Sequence, residues 1–118
     1  MARFRIAVAT DGKKGLDDAV SNVFGRAGTF TIVDVEDEKI TSTRVLENPA
    51  ISYSHGAGPI AIKTLIDEGV EMVIANELGI GASEILDNHN INYVPAKSGT
   101  NVGKALNKAM HTQKMKLS

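Results

Sequence analysis

His55 lies between Ser54 and Gly56 in the run Ser54-His-Gly-Ala-Gly58, which joins an imidazole to two glycines. An imidazole in that setting can face a ligand and bind a soft or borderline metal, or it can simply be an exposed loop histidine. Gly56 and Gly58 let a ligand come close to the backbone, and they equally permit sharp turns. Arg26, within Phe24-Gly-Arg-Ala27, is a fixed cation beside a flexible glycine. It can clamp an anion or bond loop carbonyls. Phe24 reads as core.

Other candidates carry thinner signals. Gly79-Ile-Gly81-Ala-Ser83 resembles part of a dinucleotide fingerprint, but Glu84 occupies the third glycine position, where its charge opposes a pyrophosphate. Asp11 and Glu77 both fall where strands should end, so they could hold Mg²⁺ for phosphoryl transfer. Two acids are a small set for that chemistry, and a turn-forming role suits Asp11 better. His89 falls on an apolar helical stripe as a packed or helix-end residue, and His111 reads as solvated. No two histidines stand at i, i+4 spacing, which argues against a preformed zinc site. Ser21, Ser54 and Ser83 lack the G-x-S-x-G elbow of a hydrolase.

The elements that must position these residues follow from hydrophobic pattern. With 118 residues, 42% hydrophobic and 23% charged, the chain has the composition of one ordinary globular domain. Phe4 to Ala9 is a short, mostly apolar strand that runs into Asp11-Gly12; it is too short for the apolar core of a secretion signal, although Arg3 and Arg5 precede its apolar end at Ala7-Val8-Ala9. Residues 29–35 and 40–46 are rich in β-branched types and read as a hairpin across Glu36 to Lys39. Asn48-Pro49 halts that pattern. Ile62, Leu65, Ile66 and Val70 then recur at helical spacing, with Pro59 suited to the first turn and Gly69 to the stop. Val70 to Ala75 is a near-continuous apolar run, as expected of a parallel strand covered on both faces. Ala82, Ile85 and Leu86 mark the next helix, Ile91 to Pro95 the last strand, and Val102 to Met110 the last helix. The order is βββαβαβα, an α/β domain with one mixed five-stranded sheet. Residues 1–110 form the domain, and 111–118 are expected as a basic, flexible tail.

In such a sheet ligands gather outside the carboxyl ends of the strands, where Asp11-Gly12, Asn76 to Gly79 and Ala96 to Thr100 emerge. The net charge of −1 hides an asymmetry: no Asp or Glu follows Asp87, whereas Lys97, Lys104, Lys108, Lys114 and Lys116 do. That basic quarter is either a solvated helix face, a docking surface for an acidic partner, or a guide for anions. The absence of cysteine excludes disulfides, thiolate zinc sites and thiolate-ligated iron–sulfur clusters. Three Phe, two Tyr and no Trp leave few platforms for stacking on nucleic acid. No run is long enough for a membrane-spanning helix, so a cytoplasmic location is expected.

Taken together, Ile6-Ala-Val-Ala-Thr-Asp-Gly12, Val20-Ser-Asn-Val-Phe-Gly-Arg-Ala27, Phe30-Thr-Ile-Val-Asp-Val35, Glu47-Asn-Pro49, His55-Gly56 and Gly79-Ile-Gly81 resemble the dinitrogenase iron-molybdenum cofactor biosynthesis family, the NifX-like and NifB C-terminal-like domains. The resemblance runs from about residue 4 to 110. It implies a ribonuclease-H-like, three-layer fold, with the first strand between the hairpin and the parallel strands. It also implies a non-catalytic role: binding, storing or transferring a molybdenum-iron-sulfur or other molybdenum-sulfide cluster among metallocluster assembly or acceptor proteins. Such a protein would be a monomer or weak homodimer. An anionic cluster would have to be held by Asp11, Gly25, Arg26, His55, Gly56, Gly58 and Gly79, with His55 as the metal ligand. Where the family often has consecutive glycines after the buried strand, this chain has Asn76-Glu77, and Glu77 would repel an anion. A small-ligand sensing or protein-interaction domain is the alternative.

Overall fold

A computed structural model describes residues 3–53 and 55–117, with the backbone alone for Ile80 and 112–117. Strand β1 (Arg3–Thr10) is the middle of the sheet because its residues from Ile6 onward are buried on both sides. Antiparallel β2 (Thr29–Glu36) pairs with one edge and parallel β4 (Met72–Ala75) with the other. Strand β3 (Lys39–Glu47) closes the hairpin side, and β5 (Asn92–Pro95) runs parallel to β4, giving the order β3-β2-β1-β4-β5. The hairpin turn is tight: Asp37 and Glu38 both have positive φ, 52° and 70°, as the primed two-residue turns require.

The alternation of side chains along the strands divides the core in two. Ala7, Ala9, Phe30, Ile32, Val73 and Ala75 face α1 (Ala57–Asp67) and α2 (Ile80–Asn88). Ile6, Val8, Val33, Val35, Met72 and Ile74 face α3 (Val102–Leu117). The result is the expected mixed five-stranded α/β architecture, with helices in a layer on each side. Gly69 ends α1 with φ of 78°: its N–H donates to Ile66 O and that of Val70 to Leu65 O, the Schellman arrangement. Asn90, at φ 57°, ends α2 the same way, its N–H donating to Asp87 O and that of Ile91 to Leu86 O. His89 is the exposed C-cap of α2, the helix-end alternative for this residue.

Two 3-10 turns, Gly15–Asp17 and Pro49–Ser52, carry no periodic signal in the sequence. The helical backbone of α3 continues to Leu117. Of the segment 111–118 expected as a tail, the side chains from 112 and all of Ser118 lie outside the described residues. No described helix is long and apolar enough to cross a membrane.

Arg5 fastens three elements. It stands opposite Asp34 in the β1–β2 register, donating from Nε at 2.7 Å and from Nη2 at 3.3 Å to the two carboxylate oxygens, while its Nη1 donates to Glu68 O after α1 at 2.7 Å. The Arg5 hydrogen bond holds the Asp34 carboxyl below its ordinary pKa, against the opposing effect of burial. A carboxyl whose pKa is lower folded than unfolded contributes stability above the unfolded value and loses it as pH falls through the folded one. Asp34→Asn should therefore lower the unfolding free energy at pH 7 by about 1–2 kcal/mol. In urea titrations across pH, the gap to the wild type should shrink below about pH 4.

Candidate ligand site at the carboxyl end of the sheet

The loop leaving β1 is folded back and tied down before it reaches β2. Ser21 donates its N–H to Ala9 O and its hydroxyl to Asp11 Oδ1 at 2.9 Å, and Gly28 N–H approaches the same carboxylate oxygen at 3.4 Å. Asp11 therefore joins the two ends of this loop. Beneath it, Thr10 Oγ1 lies 2.6 Å from Thr29 Oγ1 and 3.1 Å from Thr31 Oγ1, a buried hydroxyl cluster that closes on Gly12 O through Thr29.

Asn48, 2% exposed, is the fastening point of the Phe24–Gly28 segment. Its Nδ2 donates to Gly25 O and Ala27 O, both at 2.9 Å, its backbone N–H to Gly28 O, and its Oδ1 accepts from Ala50 N–H. All the polar groups of a buried amide are thereby satisfied. Phe24 packs into the core against Phe30, with ring centroids 5.4 Å apart. In the sequence Asn48 reads only as a strand stop before proline; Gly25 and Ala27, which its Nδ2 reaches, lie more than twenty residues away, and no local pattern announces them.

This anchoring presses Gly25 onto the first turn of α1. A Cβ at Gly25 would lie 2.8 Å from Gly58 N and 3.0 Å from Gly58 Cα. Gly58 in turn faces Ala82 of α2, 3.9 Å from where its own Cβ would stand. Three segments thus converge: the Arg26 loop, the start of α1 and the start of α2. His55 is exposed and precedes Gly56, the α1 N-cap, whose φ is 73°. Ser54 lies outside the described residues. Neither α1 nor α2 has a side-chain cap, so first-turn N–H groups remain for water or a ligand. A Cβ at Gly56, Gly79 or Gly81 would meet nothing within 4 Å, which leaves open space over both helix starts.

Gly25 and Gly58 are in contact, and Asp11 belongs to the same loop as Arg26. Glu77 is exposed after β4. Burial first, and then the charge of Glu77, push the Tyr93 hydroxyl above its ordinary pKa; that hydroxyl lies 3.2 Å from both Ala75 O and Asn76 O. The field of Glu77 is thus felt on the strand ends beside α2. Among the described residues no three His, Cys, Asp or Glu side chains cluster as a metal site, so His55 offers a single imidazole ligand.

Fold and site together define a small α/β domain whose helix starts and glycine loops meet beside the carboxyl ends of parallel strands. The chain belongs to the dinitrogenase iron-molybdenum cofactor family, whose model matches residues 4–112. The apo form of the orange protein from Desulfovibrio gigas superposes with a TM-score of 0.83 at 30% identity, covering 92% of this chain and 88% of that one. The NMR structure of a Thermotoga protein provisionally assigned to NifB gives a TM-score of 0.73 at 33% identity, over 92% of this chain and 88% of the other. An uncharacterized protein of Methanocaldococcus jannaschii is 27% identical over 94 residues, 80% of this chain and 75% of its own length. Family and neighbours alike place the chain among proteins related to the dinitrogenase cofactor.

The Gly25–Gly58 contact gives two substitutions opposite outcomes. Gly25→Ala drives a methyl into backbone and should cost about 1–3 kcal/mol. Gly58→Ala meets only an ordinary contact and gains helix propensity, so it should be neutral or stabilising by up to about 1 kcal/mol. Urea denaturation of both variants measures the difference, and equal effects would show that the two segments do not touch.

Proposed function

We propose that the chain holds and passes on an anionic molybdenum-sulfide or molybdenum-iron-sulfur cluster, as cargo and without chemical turnover, at the junction of the Arg26 loop with the starts of α1 and α2. The observation that supports this best is the approach of Gly25 to Gly58, which puts the residue next to Arg26 against an uncapped helix start.

In this reading the guanidinium of Arg26 donates to cluster sulfurs and offsets their charge. Backbone N–H groups of the first turns of α1 and α2 add donors with the favourable end of each helix dipole. The glycines at 56 and 79 admit a bulky ligand where a Cβ would stand, Gly58 takes part through its backbone, and His55 supplies one imidazole to a metal of the cluster. Asp11 is assigned a supporting part, since its carboxylate holds the loop through Ser21 and Gly28. A site without thiolates, built on one imidazole, one guanidinium and hydrogen bonds, favours release to an acceptor. The exposed Val23, Ile51 and Tyr53 lie in the segments leading into Gly25 and His55; they offer apolar contact to an assembly or acceptor protein.

The test is reconstitution of the intact chain with tetrathiomolybdate plus a copper or iron salt, followed by desalting and measurement of visible absorbance and retained molybdenum. Arg26→Ala and His55→Ala should each reduce retention about tenfold, as loss of one charge-assisted or ligating contact implies. Retention unchanged in both variants would overturn the reading. Glu77→Gln should act in the other direction and tighten retention a few-fold, because it removes a like charge from beside the site.

A further inference from the structure

The geometry points to a second anion site, on the opposite face of the sheet, that takes a compact polyphosphate or multiply phosphorylated small molecule. A cavity of about 560 Å³ opens between the end of β5 and the first turns of α3, and Lys97, Lys104 and Lys108 line it together. None of its lining residues is acidic, and neither Arg26, His55 nor any of the glycines at 25, 56, 58 and 79 contributes to it. It is therefore separate from the junction assigned to the cargo, although Asn76 contributes to its wall from the end of β4.

The placement of the lysines follows from the fold. Val20 and the loop after β5 exchange backbone hydrogen bonds, Val20 N–H to Thr100 O and Gly99 N–H to Val20 O, and Val102 N–H donates to Asp18 O. These bonds fix the turn carrying Lys97 against the start of α3. Asn101 accepts from Lys104 N–H at 3.1 Å, and Val102, Ala105, Leu106 and Ala109 bury the inner face of the helix. Lys104 and Lys108, four residues apart, then fall one above the other on a helix face, toward the cavity that Lys97 borders from the loop side. Three cations are thus gathered around one concavity, in a stretch of chain with no acidic residue after Asp87. Such an arrangement concentrates positive potential in a cleft with low-dielectric walls.

The class of ligand follows from the lining. The volume lies within the range of roughly 300–1,000 Å³ of small-molecule sites and exceeds what one tetrahedral oxyanion fills. Ammonium groups are point charges suited to phosphate oxygens, and Thr100 and Asn76 add polar contacts. Val94, Pro95, Ala96 and Ala105 supply a short aliphatic wall but no aromatic platform, so nothing there stacks a nucleobase. The charged end of the ligand carries the recognition, and its organic part, where it has one, rests on that wall.

Titration of the ¹⁵N-labelled full chain with inorganic tripolyphosphate tests this. The backbone amides of Lys97, Thr100, Lys104 and Ala105 should shift, with orthophosphate binding at least about tenfold more weakly because it spans fewer of the charges. Fructose 1,6-bisphosphate separates the sources: binding comparable to tripolyphosphate means that an organic phosphate suffices, and weaker binding means that contiguous phosphates are needed. The double substitution Lys97→Gln/Lys104→Gln should reduce tripolyphosphate affinity by about tenfold or more, while Arg26→Ala and His55→Ala leave it unchanged. Three results would overturn the site: no saturable shift, shifts insensitive to the lysine substitutions, or loss of thiomolybdate retention in the lysine double variant. The last would make this cleft the seat of the cargo. Failure of the cargo reading alone, with tripolyphosphate still bound, would leave this site standing.

Discussion

The side-chain amide of Asn48 is the contact on which the arrangement of the functional end depends. Buried at the end of the hairpin, it must find partners for two N–H groups and a carbonyl, and it finds them in Gly25 O, Ala27 O and Ala50 N–H. A buried amide left unpaired costs on the order of 1–3 kcal/mol, so the Phe24–Gly28 segment is held against the entry to α1. Only with that segment in place does Gly25 reach Gly58, and only glycine allows an approach at which a Cβ would stand 2.8 Å from a backbone nitrogen. The loop that carries Arg26 is thereby held beside the start of α1 by an uncharged side chain.

The same end of the sheet serves both faces, and one loop ties them together. The segment after β1 bonds to Ala9 through Ser21, accepts from Asn76 Nδ2 at Asn22 O, and exchanges bonds with the turn before α3 through Val20. Glycines come together on the α1 and α2 side, whereas the α3 side gathers lysines around a cavity. A soft, polarizable cluster calls for open backbone and one imidazole, and hard phosphate oxygens call for ammonium ions. The two faces thus differ in the chemistry they suit as well as in position. Asn76 lines the cavity on the α3 side and also donates to Asn22 O in the loop after β1.

Much of the fold is legible in residue pattern because it depends on local rules. The β-branched runs, the helical spacing of Ile62, Leu65 and Ile66, and the stop at Gly69 each reflect a nearest-neighbour preference, and the elements follow within a few residues. The departures are equally physical. Asn90 takes the left-handed C-cap position that glycine usually fills, and Asp37 and Glu38 adopt positive φ in a turn whose residues give no Asn-Gly signal. Of the candidate site, the residue types were readable but their meeting was not. Asn48 looks like a strand terminator, Arg5 like part of a basic leader, and Asp11 like a turn former, because Gly25, Asp34 and Ser21, which reveal their roles, are distant in sequence. The excess of lysine near the end of the chain is plain from composition, but the cavity that collects Lys97, Lys104 and Lys108 exists only once β5 and α3 are packed.

Charge placement bears on how firmly a cargo can be held. A thiolate shell would bind a metal-sulfide cluster through covalent coordination and would release it only by exchange with other thiolates. The cargo site proposed above would use an imidazole, a guanidinium and backbone N–H groups, each of which a competing donor or water could replace one at a time. The charge of Glu77 is felt at Tyr93, and at the proposed site a like charge would lower the affinity for an anion. Removing contacts singly would give a graded release path, in keeping with the proposed carrier role. The tight fastening at Asn48 fits this proposal: the loop geometry is fixed by buried hydrogen bonds, so binding would not have to order it, and weak contacts would suffice because little conformational entropy would oppose them.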